Sequence, residues 1–220
     1  MRILALGALS GAILFFALVA WCWKDLRFLQ QQAAASASSH YPESVIDSFL
    51  AAEDPGFRSR PRPTLFSLFR FIRAISRTDR RGDASTLLQQ VVKMNLQQGR
   101  ALSWACRSII VGIIADFLIP RERIMNMHLD EVYMGSLNRQ PMYGVRAGAR
   151  FYFHRPAEQL TVSEAATLAA MLPNPNYFSP ILHPGRVGKR RDLVLRRICE
   201  YHFASCNKVM AAGERSEASR

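Results

Sequence analysis

The sequence predicts a mainly α protein, one globular helical domain behind an N-terminal transmembrane helix. Three observations carry this. Residues Ile3 to Trp23 form an almost unbroken apolar run. Further along, apolar residues recur at three- to four-residue spacing in several segments, and no β-hairpin signal competes with them. A helix-start signature, Thr161-Val162-Ser163-Glu164, opens an apolar stretch that Pro173 stops.

Arg2 precedes the apolar run, and Lys24, Asp25 and Arg27 follow it. About twenty apolar residues cross a bilayer as a helix, whereas a cleaved signal peptide carries an apolar region of about 7–15, so the run reads as an uncleaved anchor. Cleavage near Ala35-Ser36-Ala37 is the lesser reading, because that site lies far beyond the run. The flanking charge is nearly balanced and does not set orientation. Gln30 to His40 is rich in Gln, Ala and Ser and reads as a polar stalk. The expected organisation is an anchor with its short N-terminus at 1–24, the stalk at 25–41, a folded domain at 42–203 and a disordered tail at 204–220.

Within the domain, Leu65, Leu68, Phe69, Ile72 and Ile75 recur at helical spacing, with Arg70, Arg73 and Arg77 on one stripe. Pro63 to Arg77 is therefore expected as an amphipathic helix with a cationic face, packed on the core or lying in the headgroup region. Ser103 to Ile119 is apolar nearly all round but short for a bilayer, which predicts a buried central helix. Further helices are expected from Arg121 through Val132, over Val145 to Phe153, from Thr161 to Pro173, and from Lys189 to Tyr201. Pro173, Pro175, Pro180 and Pro184 mark a turn-rich loop before the last of these.

The formal net charge of +12 calls for an anionic partner. With an anchor present, lipid headgroups and lipid-linked phosphate lead. No zinc-finger spacing, helix-turn-helix signature or aromatic-basic motif supports nucleic acid as a partner. Cys22, Cys106, Cys199 and Cys206 lack metal-ligand spacing, and no metal site is expected. On one continuous helix Cys199 and Cys206 would stand about 10 Å apart, too far for a disulfide without a bend.

Two clusters carry chemistry. Glu53 in Glu53-Asp54-Pro55-Gly56-Phe57 follows the apolar stretch Phe49-Leu50-Ala51-Ala52, an end-of-helix position where desolvation would favour a general base near neutral pH. The bland alternative pairs this acid with Arg58 or Arg60. Ser85, Thr86, Gln89, Gln90 and Lys93 place hydroxyls, amides and an ammonium along the first turns of a helix, a setting suited to phosphate oxygens. An ordinary polar helix start is the alternative there.

In order along the chain, these segments resemble the family 51 glycosyltransferases, which occur as monofunctional peptidoglycan polymerases and as one domain of bifunctional penicillin-binding proteins. The resemblance runs from about Ser44 to Arg197. It rests on Ala52-Glu53-Asp54 with Phe57, on the Ser-Thr-Gln-Gln-Lys cluster, and on Tyr143-Gly144-Val145 through Tyr152-Phe153. It continues through Leu160-Thr161, Glu164-Ala165-Ala166, Leu172-Pro173 and Arg190-Arg191-Asp192-Leu193. The resemblance implies a two-lobed, lysozyme-like helical fold anchored by one span in the cytoplasmic membrane, with its catalytic domain on the outer, periplasmic face. Its partners would be lipid II, the growing glycan chain, the membrane and other cell wall synthesis proteins. Glu53 matches the catalytic base that deprotonates the acceptor sugar hydroxyl. Lys93 and Arg100 match residues that hold the diphosphate, and Ser85, Thr86 and Gln90 would line the same cleft. No cofactor is obligatory in this picture, and a divalent cation such as Mg2+ or Mn2+ is compatible with departure of the diphosphate.

The chain also departs from the family pattern. The family's arginine-lysine pair falls on Trp104 and Ala105, and its second glutamate on Ser108. Asp116 is the nearest acid downstream, but on a helix it stands about 12 Å further along and rotated by about 80°. Arg107 lies within one turn of both lost cations and could replace them in part. Arg60 and Arg62 take the place of a histidine and a glycine, Asp83 that of a glycine, and His128 and Asp130 those of a tyrosine and an asparagine. An active polymerase is the leading expectation. A catalytically impaired member that binds lipid-linked precursor or glycan and scaffolds wall synthesis is the alternative. A lysozyme-type hydrolase fits the cationic cleft less well. Ser205-Cys206-Asn207-Lys208 matches the Ser-x-x-Lys signature of transpeptidases and is expected to be accidental.

Overall fold

The computed structural model describes residues 2–59, 87–96, 102–137 and 140–217. In chain order its helices are α1 (Arg2–Ala35), α2 (Glu43–Glu53), α3 (Leu87–Asn95), α4 (Leu102–Leu118) and α5 (Arg121–Glu131). A hairpin of β1 (Tyr133–Leu137) and β2 (Gln140–Tyr143) follows, then α6 (Val145–Phe153), α7 (Val162–Met171), α8 (Pro184–Glu200) and α9 (Cys206–Glu217). The chain divides into two compact units, Met1–Ala35 with Arg62–Pro120, and Ser36–Pro61 with Arg121–Arg220.

In the first unit α1 packs on α4 and α4 on α3. The apolar run Ile3 to Trp23 is helical, and α1 continues without a break through Lys24 to Ala35, so the segment expected as a stalk is a helical extension. The side chains of residues 2–16, 18 and 19 lie outside the described ones, and among the described residues no helix is long and apolar enough to cross a membrane. The cationic helix expected over Pro63 to Arg77 also lies outside the described residues. Helix α4 is not the buried centre its composition predicts. Ser108, Val111 and Ala115 are buried on one face, while Phe117 and Leu118 are about half exposed.

The enclosed helix is α7, in the second unit. Ala165, Ala166, Leu168, Ala169, Ala170 and Met171 are all fully buried. Four alanines give α7 a slim surface, so α2 and α8 both pack closely against it. Its start is the predicted capping box: the Thr161 hydroxyl accepts the Glu164 N–H at 3.2 Å, and the Glu164 carboxylate accepts the Thr161 N–H at 2.8 Å.

The mainly α fold also holds one antiparallel hairpin, at a place where the sequence shows no hairpin signal. Gly135 pairs with Met142, Ser136 with Pro141 and Leu137 with Gln140, and a bulge separates Gly135 from the Tyr133–Tyr143 pair. The bulge breaks the period-two alternation, and Pro141 is tolerated because a two-stranded sheet has only edge strands. Gly144 leads into α6 with φ +84°, and a Cβ there would stand 2.7 Å from the Asp130 carbonyl oxygen. Only glycine fits that approach.

The C-terminal segment is also corrected. Helix α8 stops at Glu200, His202 turns the chain with φ 53°, and α9 begins at Cys206 within the segment expected to be disordered. That bend brings the Cα atoms of Cys199 and Cys206 to 4.8 Å, and the two form a disulfide.

Candidate functional site

Glu53 is the last residue of α2. The helix begins after Pro42 with Glu43 in its first turn, where the helix dipole favours an acid, and ends where the Asp54 N–H donates to Leu50 O at 2.9 Å. Pro55 cannot continue the helix, so Glu53 is left at its rim. Val45, Phe49, Leu50 and Ala51 form the buried face. Glu53 is only half-buried, in contrast to the desolvated position expected of it. On and next to α2, Asp47 and Asp54 are the enclosed carboxylates.

Asp47, six residues before Glu53, is fully buried. Its carboxylate accepts the Ser205 N–H at 3.0 Å, the Ser205 hydroxyl at 2.7 Å and Arg58 at 3.3 Å. Arg58 also bridges to Glu43 at 2.8 Å, while Arg60, the other candidate partner weighed for Glu53, lies outside the described residues. Arg197 donates to Ala51 O at 3.4 Å, tying the last turn of α2 to α8. The Arg121 guanidinium sits 5.7 Å over the Phe57 ring and donates to Arg58 O, which holds the turn after Glu53. Ser205 is thereby a buried structural residue and not an exposed nucleophile. Sequence reasoning missed the Asp47–Ser205 contact. The available signal was an acid on the apolar face of an amphipathic helix.

Gln90 and Lys93 lie one turn apart on α3, in the first unit, with Lys93 exposed and Gln90 half-buried. Leu87, Leu88, Val91 and Val92 are buried and seat the helix. Gly112 on α4 leaves room for the Gln89 amide, whose nitrogen lies 2.3 Å from where a Cβ would be. Ser85, Thr86 and Arg100 lie outside the described residues, as do the side chains of Trp104 and Ala105. Glu53 belongs to the second unit.

At the divergent third segment Ser108 and Asp116 are both buried. Arg107 forms a bidentate pair with Asp25 at 2.5 and 2.6 Å, and its guanidinium sits 5.6 Å over the Trp21 ring. That charge-assisted pair engages the Arg107 guanidinium within the first unit. Among the described residues no cluster of His, Cys, Asp and Glu could hold a metal ion.

His128 is fully buried with both ring nitrogens lacking a hydrogen-bond partner, and the Phe49 ring lies edge-on at 6.5 Å. Desolvation pushes its pKa down to about 4. Asp130, one turn end away, accepts hydrogen bonds from Ser39 at 2.8 Å and Tyr41 at 2.7 Å. Burial, with that carboxylate beside it, holds the Tyr41 phenol well above its usual range.

Glu53 thus stands at the rim of α2 in one unit, and Lys93 in the last turn of α3 in the other. Residues 24–199 fit the transglycosylase family model, and the chain belongs to that family. It is 28% identical over 174 residues to penicillin-binding protein 1B of Vibrio cholerae, covering 78% of this chain and 22% of the relative. It is 33% identical over 164 residues to penicillin-binding protein 1A of Rickettsia felis, covering 72% and 20%, and 29% identical over 177 residues to penicillin-binding protein 1F of Bacillus subtilis, covering 80% and 24%. The chain thus spans about a fifth to a quarter of the length of these curated relatives.

Proposed function

We propose that the chain is a peptidoglycan glycosyltransferase that polymerises lipid II into glycan strands and releases undecaprenyl diphosphate. The family match over residues 24–199, which contains both Glu53 and Lys93, carries this reading. Glu53 takes the proton of the acceptor's sugar 4-hydroxyl. The freed oxygen bonds to the anomeric carbon of the lipid-linked chain, and the anomeric carbon–oxygen bond to the diphosphate breaks. Lys93 and Arg100 hold the departing anion, with Ser85, Thr86 and Gln90 lining the cleft. Ile3 to Trp23 anchors the chain in the cytoplasmic membrane, with the second unit on the outer face. The Cys199–Cys206 disulfide supports that side, because such bonds persist in oxidising compartments.

Full-length protein incubated with lipid II makes polymeric glycan, and Glu53→Gln, which keeps the shape and removes the base, lowers the rate by about 100- to 10,000-fold. Undiminished activity in Glu53→Gln would eliminate the assigned role. The buried Ser108 and the Asp25-paired Arg107 favour a second reading, a catalytically impaired member that binds lipid-linked precursor and scaffolds wall synthesis. Binding of lipid II without polymer, and without gain from Ser108→Glu, would select it.

A further inference from the structure

We infer that residues 201–217 are a redox-sensitive clasp on α2, so that the position of Glu53, and with it turnover, depends on the Cys199–Cys206 disulfide. The inference rests on the polymerase reading above. The family match ends at residue 199, and the clasp lies beyond it. Two contacts from this end of the chain grip α2. Arg197, in the last turn of α8, donates to Ala51 O at 3.4 Å, two residues before Glu53. Ser205 donates its N–H at 3.0 Å and its hydroxyl at 2.7 Å to the buried Asp47 carboxylate. The disulfide joins these two anchor points, because Arg197 stands two residues before Cys199 and Ser205 immediately before Cys206.

Without the covalent link the turn between them rests on short backbone hydrogen bonds, His202 N–H to Cys199 O and Phe203 N–H to Ile198 O, each at 3.0 Å. When the turn loosens, Asp47 loses two donors. An enclosed carboxylate so deprived is costly to keep in place, and α2 shifts to let water reach it. Glu53, six residues further along the same helix, moves with it. Both cysteines are half-buried, and an apolar groove of about 270 Å³ lined by Leu195, Cys199, Val209 and Met210 admits a dithiol reductant. One thiolate of the reductant attacks the Cys199 sulfur and Cys206 leaves; the second thiol then displaces Cys199 from the mixed disulfide. Two electrons and two protons pass to the cysteines, which end as thiols, while the reductant ends as a cyclic disulfide.

The test assays full-length protein on lipid II, oxidised and after dithiothreitol, at a temperature below the melting point of the reduced form. Reduction lowers kcat about 10- to 100-fold and leaves KM unchanged, as expected when a reacting group is misplaced but binding is kept. The Cys199→Ser, Cys206→Ser double variant shows the lower kcat with or without dithiothreitol, and Ser205→Ala lowers kcat with the disulfide intact. Amide hydrogen exchange, which needs no turnover, rises in α2 on reduction and stays constant in α6, where general destabilisation would raise both. Equal kcat before and after reduction would overturn the clasp, as would unchanged exchange in α2 or a loss of rate on reduction that the double variant shares. Faster α2 exchange on reduction in a protein that makes no polymer keeps the clasp and fails the polymerase reading, whereas a polymerase indifferent to reduction does the reverse.

Discussion

His128 puts an imidazole inside an apolar helix interface with no partner for either nitrogen. Above about pH 6.5 the ring is neutral in both folded and unfolded chains and contributes nothing to pH dependence. As pH falls from there toward its folded pKa of about 4, the unfolded chain binds a proton that the native one refuses. Stability therefore drops by up to about 3 kcal/mol across that window. Chemical denaturation between pH 7 and pH 4 shows this loss in the wild type, and His128→Phe removes this component of it. An acid profile unchanged by the substitution would assign the sensitivity to other groups. The Asp47 carboxylate illustrates the opposite arrangement. It is equally enclosed, but three donors satisfy it.

At the scale of the elements, Gly144→Ala is expected to destabilise the second unit by about 2–4 kcal/mol. The alanine would have to adopt φ +84° and place its methyl 2.7 Å from a backbone oxygen that cannot swing aside. Thermal melts of the two proteins measure the effect, and a change within about 0.5 kcal/mol would show that the turn relaxes freely. Elements of this kind differ in how visible they are before folding. The bounds of α6 and the capping box of α7 are local chemistry, and both were legible. The hairpin was not, because its bulge and Pro141 erase the alternation that marks strands. The burial of α4 was misread for a different reason. Apolar composition says that a helix can be enclosed, but only the neighbours it meets decide which face is. The helix-end position of Glu53 was legible from the apolar stretch Phe49-Leu50-Ala51-Ala52 that precedes it. The clamp on that helix was not, because Asp47 and Ser205 are 158 residues apart.

Across the whole chain, the C-terminal disulfide closes a loop of seven residues' separation beside Ser205, whose backbone and hydroxyl reach Asp47. A loop this short contributes about 2 kcal/mol. Reductant should lower the melting temperature of the wild type, and Cys199→Ser should melt at that lower temperature with or without reductant. Equal melting of oxidised and reduced wild type would show that the Asp47–Ser205 contact holds the turn unaided. Further out, the residues that seat α2 belong to α7, α8 and the turn before α9. Arg197 and Ala51 are separated by 146 positions, with the whole of Arg62–Pro120 emerging between the two parts of the second unit.

That interleaving has a consequence for biogenesis. The segment bearing Glu53 leaves the ribosome early, yet its greasy side finds shelter only when the last quarter of the polypeptide has followed. Until then it is a natural client for holding chaperones, and a message cut short upstream of residue 197 yields a chain whose acid has no socket.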